Sequence, residues 1–104
     1  MKFTVYYSRV FREGHERGWK RVTELRESDY VKVCEIEGLA HLDGVYDRMQ
    51  GEFMAYDTRL YLQEMCKAGE TDHTSMSVGD LVVAEDKAAW LCTPLSWTEV
   101  KVLS

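Results

Sequence analysis

The chain has 104 residues, of which 45% are hydrophobic and 12% aromatic. This apolar content is enough for the core of one domain and excludes a wholly disordered chain. The formal net charge of −5, from 18 Asp or Glu and 13 Lys or Arg, disfavours duplex DNA as a partner. No apolar stretch approaches the roughly 18 residues of a membrane span, so we expect no membrane segment and a cytoplasmic location.

The first 37 residues are rich in β-forming side chains and predict three strands. The first covers residues 2–11, where Phe3, Val5 and Tyr7 alternate with polar neighbours. A glycine-containing loop separates it from a second strand at residues 19–25, and a third follows at residues 30–36. Apolar residues on both faces indicate that the third strand is central and covered on two sides. The expected faces are Val31 and Val33 on one side, and Tyr30, Cys34 and Ile36 on the other.

The apolar spacing changes from a strand period to a helical one in residues 39–69, which predicts two helices. The second helix begins near Asp57 or Thr58, either of which could cap it, and ends about Ala68 with Gly69 as the stop. The first helix lays an apolar stripe against the sheet, formed by Leu42, Val45, Tyr46, Met49 and Phe53.

Residues 70–104 predict a turn followed by a meander of three short strands, at 81–84, 89–92 and 98–103. The order along the chain is therefore strands, two helices and then strands. Segregation of this kind is typical of an α+β fold. We expect residues 1–104 to form a single small α+β domain, with a mostly antiparallel sheet and two helices packed against it.

The 73–80 segment is the most distinctive part of the chain. Gly79 and Asp80 are turn-forming residues set directly before an apolar, β-branched run, so they predict the entrance of a strand. The imidazole of His73 and the hydroxyls of Ser75 and Ser77 can bond to nearby backbone and hold an irregular segment in one shape. We interpret the segment as a structural turn. A small hydrolase or transferase using His73 and Ser75 is the third functional alternative, without a supporting triad order or nucleophile elbow.

The order of residues 73–80, histidine followed after one residue by Ser-Met-Ser-Val-Gly-Asp, resembles a motif of small accessory proteins of phages and other mobile elements, including the YodL-like domains. Residues 42–52 resemble the short helix that precedes the motif in those proteins. The resemblance covers roughly residues 30 to 100 and departs from the usual turn at residues 95–97. It implies an accessory protein of a phage or mobile element, working in the host cytosol, in a family without an established catalytic motif.

Basic and aromatic residues concentrate in the N-terminal part of the chain. Residues 1–26 carry seven Lys or Arg against three acids. Arginine forks match phosphate and an indole can stack on a base, so these residues could form a sponge for a nucleotide signal or contact another phosphate-bearing ligand. The first two predicted strands would form a hairpin rich in charge, and this hairpin could also mediate a homodimer at a sheet edge. The candidate ligand-binding residues are Arg9, Arg12, Arg17, Trp19, Lys20 and Arg21.

The rest of the chain is acidic, with fifteen Asp or Glu against six Lys or Arg in residues 27–104. A negative face could complement a basic groove of a host protein, as in a counter-defence inhibitor of a nucleic-acid-targeting defence protein. Binding to a host component is therefore the function that we expect first. The acids considered are Glu35, Glu37, Asp43, Asp47, Glu52, Asp57, Glu64, Glu70, Asp72, Asp80, Glu85 and Asp86.

The cysteines and histidines lie far apart in the sequence. An odd number of cysteines, with no two of them two to four residues apart, argues against a disulfide framework and a zinc finger, and predicts reduced thiols. The sequence has neither a two-histidine helical motif nor a glycine-rich phosphate loop. We therefore expect no metal and no cofactor. The residues concerned are Cys34, Cys66, Cys92, His15, His41 and His73.

Overall fold

The fold is built around one sheet, and the computed structural model describes residues 1–9, 22–94 and 96–104. Strand β1 lies inside the sheet and turns Phe3, Val5 and Tyr7 into the core, which follows from their alternation with polar residues. The strands are β1 (Lys2–Ser8), β2 (Glu24–Arg26), β3 (Tyr30–Glu37), β4 (Leu81–Ala84), β5 (Ala89–Cys92) and β6 (Trp97–Leu103). The helices are α1 (Leu42–Arg48) and α2 (Tyr56–Lys67).

The strand order is β2-β6-β5-β4-β1-β3. Among the described strands, four neighbouring pairs are antiparallel, and the pair of β2 and β6 is parallel. The predicted α+β fold, a mostly antiparallel sheet with two helices, is confirmed. Among the described strands β3 pairs with β1 alone and lies at the edge of the sheet, so the prediction that the third strand is central is wrong. Helix α2 packs against β3 on the helical face of the sheet.

A β-bulge in β3 overturns the predicted division of its faces. Val5 pairs with Cys34 and Tyr6 with Lys32, so Val33 is the extra residue in the ladder. One inserted residue shifts the alternation of every side chain beyond it. Four side chains of β3 therefore join the helix-side core and only one joins the opposite face. The first group is Val31, Val33, Cys34 and Ile36, and the single residue is Tyr30.

The helices pack on one face of the sheet and close the main core there. Leu62 and Met65 of α2 are buried one turn apart, which matches the apolar stripe of an amphipathic helix. The predicted stripe of α1 is shorter than expected. The helix ends at Arg48, a 3-10 turn (Gly51–Phe53) follows, and the side chain of Phe53 is 68% exposed. Helix α1 therefore presents Val45 and, partly buried, Leu42 to the core, Met49 follows directly after the helix and is also buried, and Phe53 is not part of the core.

Helix α2 begins at Tyr56, two residues earlier than a cap at Asp57 would place its first residue. Its N-cap position is Ala55, which makes no side-chain hydrogen bond, so the prediction of Asp57 or Thr58 as the cap is wrong. At the other end Gly69 has a φ of +77°, a left-handed conformation that glycine adopts without cost, and it follows Ala68 as expected.

The opposite face of the sheet carries a second, smaller apolar cluster. Its buried members come from β3, β4, β5 and β6, and the two described helices lie on the other side. A groove of about 470 Å³ lies on this face, and its lining includes Tyr30, Leu81 and Val100. Within residues 1–9, 22–94 and 96–104, neither helix has the length and apolar character that a membrane crossing requires. The cluster consists of Tyr30, Leu81, Ala89, Leu91 and Val100.

Candidate functional site

The 73–80 segment ends in a tight turn that directs the chain into β4. Gly79 has a φ of +99°, its N–H donates to the carbonyl oxygen of Cys92 (2.8 Å), and its own carbonyl accepts the hydroxyl of Tyr30 (2.7 Å). The N–H of Asp80 donates to the carbonyl of Ser77 at 3.0 Å. A side chain at position 79 would be strained at this φ, so glycine is required there.

Asp80 is the centre of a buried polar network. Its side chain is fully buried, and each carboxylate oxygen accepts a backbone N–H at 2.8 Å, Oδ1 from Ser8 and Oδ2 from Ser77. The Nε2 atom of His73 lies 3.0 Å from Oδ1 and 2.9 Å from Oδ2. Buried carboxylates are stable in proteins when donors of this kind surround them. Asp80 therefore joins the end of β1 to the 73–80 segment.

His73 is held from both sides of its ring. Its Nδ1 atom lies 2.9 Å from the carboxylate of Asp72 and 3.3 Å from the hydroxyl of Thr71. The ring stacks on Tyr7, with centroids 4.8 Å apart and planes within 8° of parallel. The Tyr7 hydroxyl donates to the carbonyl of Thr74 (2.9 Å), and the Thr71 hydroxyl donates to the carbonyl of Ser8 (2.8 Å). These contacts fix the imidazole against β1.

Burial and the two carboxylates act in opposite directions on the pKa of His73. Burial disfavours the imidazolium, but the hydrogen bonds and negative charges of Asp80 and Asp72 outweigh it, so the pKa of His73 is raised above its ordinary value. Burial also raises the pKa of Asp80, against the donors that favour its carboxylate. Both shifts favour retention of a proton by the His73 and Asp80 pair in the folded protein.

The raised pKa of His73 predicts that stability falls as the pH rises. A folded-state pKa above the unfolded value of about 6.5 favours folding below pH 6.5, and this contribution disappears as the pH rises through the folded pKa. The free energy of unfolding should decrease above pH 6.5 by at most about 1.4 kcal/mol per pH unit. Urea titrations at constant ionic strength between pH 6 and 9 measure it, with His73→Gln as the comparison. Equal slopes for the two proteins would contradict the assignment to His73.

The structure brings His73 to Asp80, but not to Ser75. The Ser75 hydroxyl oxygen accepts the N–H of Gly51 at 3.4 Å, and its carbonyl accepts the hydroxyl of Ser77 at 3.0 Å. Within the part of the chain that the structure describes, no hydrogen bond joins the imidazole to the Ser75 hydroxyl. A nucleophilic serine needs a base within hydrogen-bond reach, so this geometry gives no support to a hydrolase or transferase.

Of the basic residues predicted to bind a ligand, the structure describes only Arg9. Arg9 is described at the end of β1, where its guanidinium pairs with the carboxylate of Glu70 and its Nε donates to the carbonyl of Ser28 at 3.0 Å. Both contacts tie Arg9 to its own chain. The nucleotide-sponge hypothesis stays a prediction, because its other residues lie outside the described part of the chain: Arg12, Arg17, Trp19, Lys20 and Arg21.

The acidic residues do not form one uniform face. Asp80 is buried and contributes nothing to the surface. The Glu35 carboxylate pairs with the ammonium groups of Lys2 (3.0 Å) and Lys32 (3.0 Å), which holds the pKa of Glu35 below its usual value. Glu85 accepts the backbone N–H of Lys2. The expectation of an acidic surface therefore needs correction at position 80.

Sequence reasoning missed a group of exposed apolar side chains on the helical layer, which we call the aromatic surface. Phe53 is 68% and Tyr56 is 71% exposed, although both belong to types that usually pack inside. Two grooves, of about 420 and 570 Å³, share Phe53 as a wall. The helical spacing predicted that Tyr46 and Phe53 pack in the core, whereas the structure has both exposed. The aromatic surface consists of Tyr46, Phe53, Tyr56, Leu60 and Tyr61.

The chain was compared with protein-family models, with curated proteins and with solved structures, and none of the three comparisons finds a match.

Proposed function

We propose that this chain is an accessory protein of a phage or mobile element and acts by binding a host protein through its aromatic surface. The observation that carries the proposal is the exposure of five large apolar side chains within residues 46–61. Exposed aromatic side chains beside concave grooves are typical of protein interaction sites, where tyrosine and phenylalanine are enriched. The origin of the chain is supported only by the resemblance of residues 73–80 to the proteins of such elements.

The charge of the chain favours a basic partner. Residues 27–104 carry fifteen acids against six Lys or Arg, and opposite charges accelerate the encounter of two proteins. A basic groove of a nucleic-acid-targeting defence protein is a target of this kind, and its occupation would block access of nucleic acid. Counter-defence is therefore the role that we propose for the binding activity.

Replacement of Phe53 by serine tests the proposal. Because the side chain is 68% exposed, Phe53→Ser should leave the melting temperature nearly unchanged, whereas loss of a central aromatic contact should weaken partner binding at least tenfold. The full chain is immobilised on a resin and incubated with an extract of the bacterium that carries the gene. Captured proteins are identified by mass spectrometry, and the affinity of each is then measured with purified components.

The control is Leu103→Ser, a similar loss of an exposed apolar side chain on β6, where Leu103 is 36% exposed. A partner that binds wild type and Leu103→Ser equally, and Phe53→Ser at least tenfold more weakly, supports the proposal. Equal binding of all three proteins would contradict the assignment to the aromatic surface. Absence of any captured protein that depends on Phe53 would remove the proposed function.

A further inference from the structure

We infer that the free edge of β3 accepts an extended, basic segment of the partner as an added antiparallel or parallel strand. This inference rests on the proposed function and names the form of the partner that the site takes. Among the described strands β3 pairs only with β1, and its eight residues are long for an edge. Unpaired N–H and C=O groups along such an edge match a strand of another chain.

The pairing with β1 determines which backbone groups of β3 are free. The N–H of Arg9 donates to the carbonyl of Asp29 at 3.0 Å, and hydrogen-bonded pairs alternate along an antiparallel ladder. Val31, opposite Tyr7, therefore bonds to β1, and so does Ile36, opposite Phe3. Cys34, opposite Val5, bonds to β1 as well, because it lies two residues from Ile36. The backbone groups that point away from β1 are those of Lys32, Glu35 and Glu37.

The two sides of this edge differ in chemistry, which selects the side chains of an added strand. On the helix side, a groove of about 420 Å³ runs beside the edge, and its lining includes Ile36, Phe53 and Met54 together with Arg48 and the two edge glutamates. On the other side the lining is more strongly charged and mixed in sign, with Lys2, Lys32 and Lys87 beside Glu35, Glu37 and Glu85. Side chains of a strand alternate between its two sides. The segment that fits has apolar residues alternating with polar ones.

Charge selects a basic segment over a second copy of this chain. Glu37 has no ion pair within 4 Å among the described residues, whereas Glu35 is shared by Lys2 and Lys32. A second copy would bring the same Glu37 carboxylate and a like net charge of −5. Lysine or arginine in the added strand would instead lie beside Glu37, and opposite charges on neighbouring strands are favourable.

The probe is a synthetic peptide, acetyl-KLKVKLK-amide, titrated into the isotope-labelled full chain and followed by NMR. Binding should shift the amide signals of β3 and of the groove, and should slow hydrogen exchange of the Lys32, Glu35 and Glu37 amides at least tenfold, because an added strand protects them. Two control peptides of equal length are acetyl-ELEVELE-amide, which reverses the charge, and acetyl-KKKLVLK-amide, which breaks the alternation.

Two variants of the chain test the edge itself. Glu37→Pro removes an outward N–H at a position where an edge strand tolerates proline, and should weaken peptide binding at least tenfold. Glu37→Gln keeps the N–H and should bind more tightly than Glu37→Pro. If Glu37→Pro fails to fold by its NMR spectrum, Thr58→Arg replaces it, because Thr58 lines the helix-side groove and an arginine there would fill it and repel the basic peptide.

The outcomes separate this inference from the proposed function. Edge protection by the alternating basic peptide, with loss in Glu37→Pro or Thr58→Arg, supports strand addition. Equal binding of the acidic or scrambled peptide, or binding without protection of the β3 amides, overturns it. A wild-type dimer that Glu37→Pro converts to monomer makes a second copy the occupant and overturns it as well. If host-protein capture depends on Phe53 but not on either edge variant, the proposed function stands and strand addition fails.

Discussion

Asp80→Ala should lower the free energy of unfolding by about 3–5 kcal/mol, the loss that follows when one member of a buried charge pair is removed. The substitution removes the carboxylate that lies 2.9 Å from the Nε2 atom of His73 and that accepts the backbone N–H groups of Ser8 and Ser77. Unsatisfied buried donors are costly because they have lost their water. The total free energy of unfolding of a protein domain is only about 5–15 kcal/mol, so a large part of the stability depends on one carboxylate.

Urea unfolding at pH 7 measures this loss as a lower midpoint with an unchanged slope. Asp80→Asn, which keeps the size of the side chain but removes its charge, should lie between wild type and Asp80→Ala. Glu37→Gln serves as an exposed-carboxylate control and should change the free energy of unfolding by less than about 0.5 kcal/mol. An Asp80→Ala protein as stable as that control would show that the buried network contributes nothing.

Leu62→Ala and Leu60→Ala should differ strongly although the two leucines lie two residues apart in α2. Leu62 is fully buried between the helix and the sheet, whereas Leu60 is 42% exposed. Truncation of a buried leucine costs about 2–5 kcal/mol because it leaves a cavity as well as removing apolar contacts. Truncation of a partly exposed leucine has a much smaller effect, about 0.5 kcal/mol or less.

Thermal and urea unfolding of the two variants measure the difference directly. The loss of affinity for the partner should be larger for Leu60→Ala than for Leu62→Ala, because Leu60 belongs to the aromatic surface and Leu62 lies in the core. Leu60→Ala is therefore expected to weaken binding with little loss of stability. Similar losses of stability for both variants would mean that α2 is rotated about its axis relative to the orientation described above.

The fold class followed from local patterns. Alternation at Phe3, Val5 and Tyr7 identified the first strand, and the change to helical spacing after residue 39 identified the helical layer. Glycine marked the end of α2 correctly because a left-handed residue is needed there. These features depend on backbone geometry and on burial over a few residues, so they can be read from neighbouring positions.

Other features depended on partners far along the chain. The extra residue Val33 changes the faces of β3, and only its pairing with β1 shows where the alternation breaks. The exposure of Phe53 follows from the end of α1 at Arg48, which periodicity did not indicate. The edge position of β3 is likewise a property of strand order. Long-range pairing cannot be read from local spacing, so these predictions were wrong.

In the candidate site, too, some features follow from neighbouring residues and others depend on residues far apart in the sequence. Turn chemistry at Gly79 and Asp80 was visible in the sequence as the entrance of a strand, and the structure has β4 beginning at the next residue, Leu81. The acceptor role of Asp80 was not visible, because one of its donors, Ser8, lies 72 residues away. The aromatic surface was also hidden, since tyrosine and phenylalanine at helical spacing are typical of a core.

The sequence by itself therefore determined an α+β domain, its main strands and helices, and a turn at residues 73–80. Local propensity and the periodicity of burial are sufficient for that. Only the tertiary structure decided which carboxylate is buried against His73, which apolar side chains remain exposed, and which strand has a free edge. The physical reason is that each of these depends on the desolvation and pairing of groups brought together from distant parts of the chain.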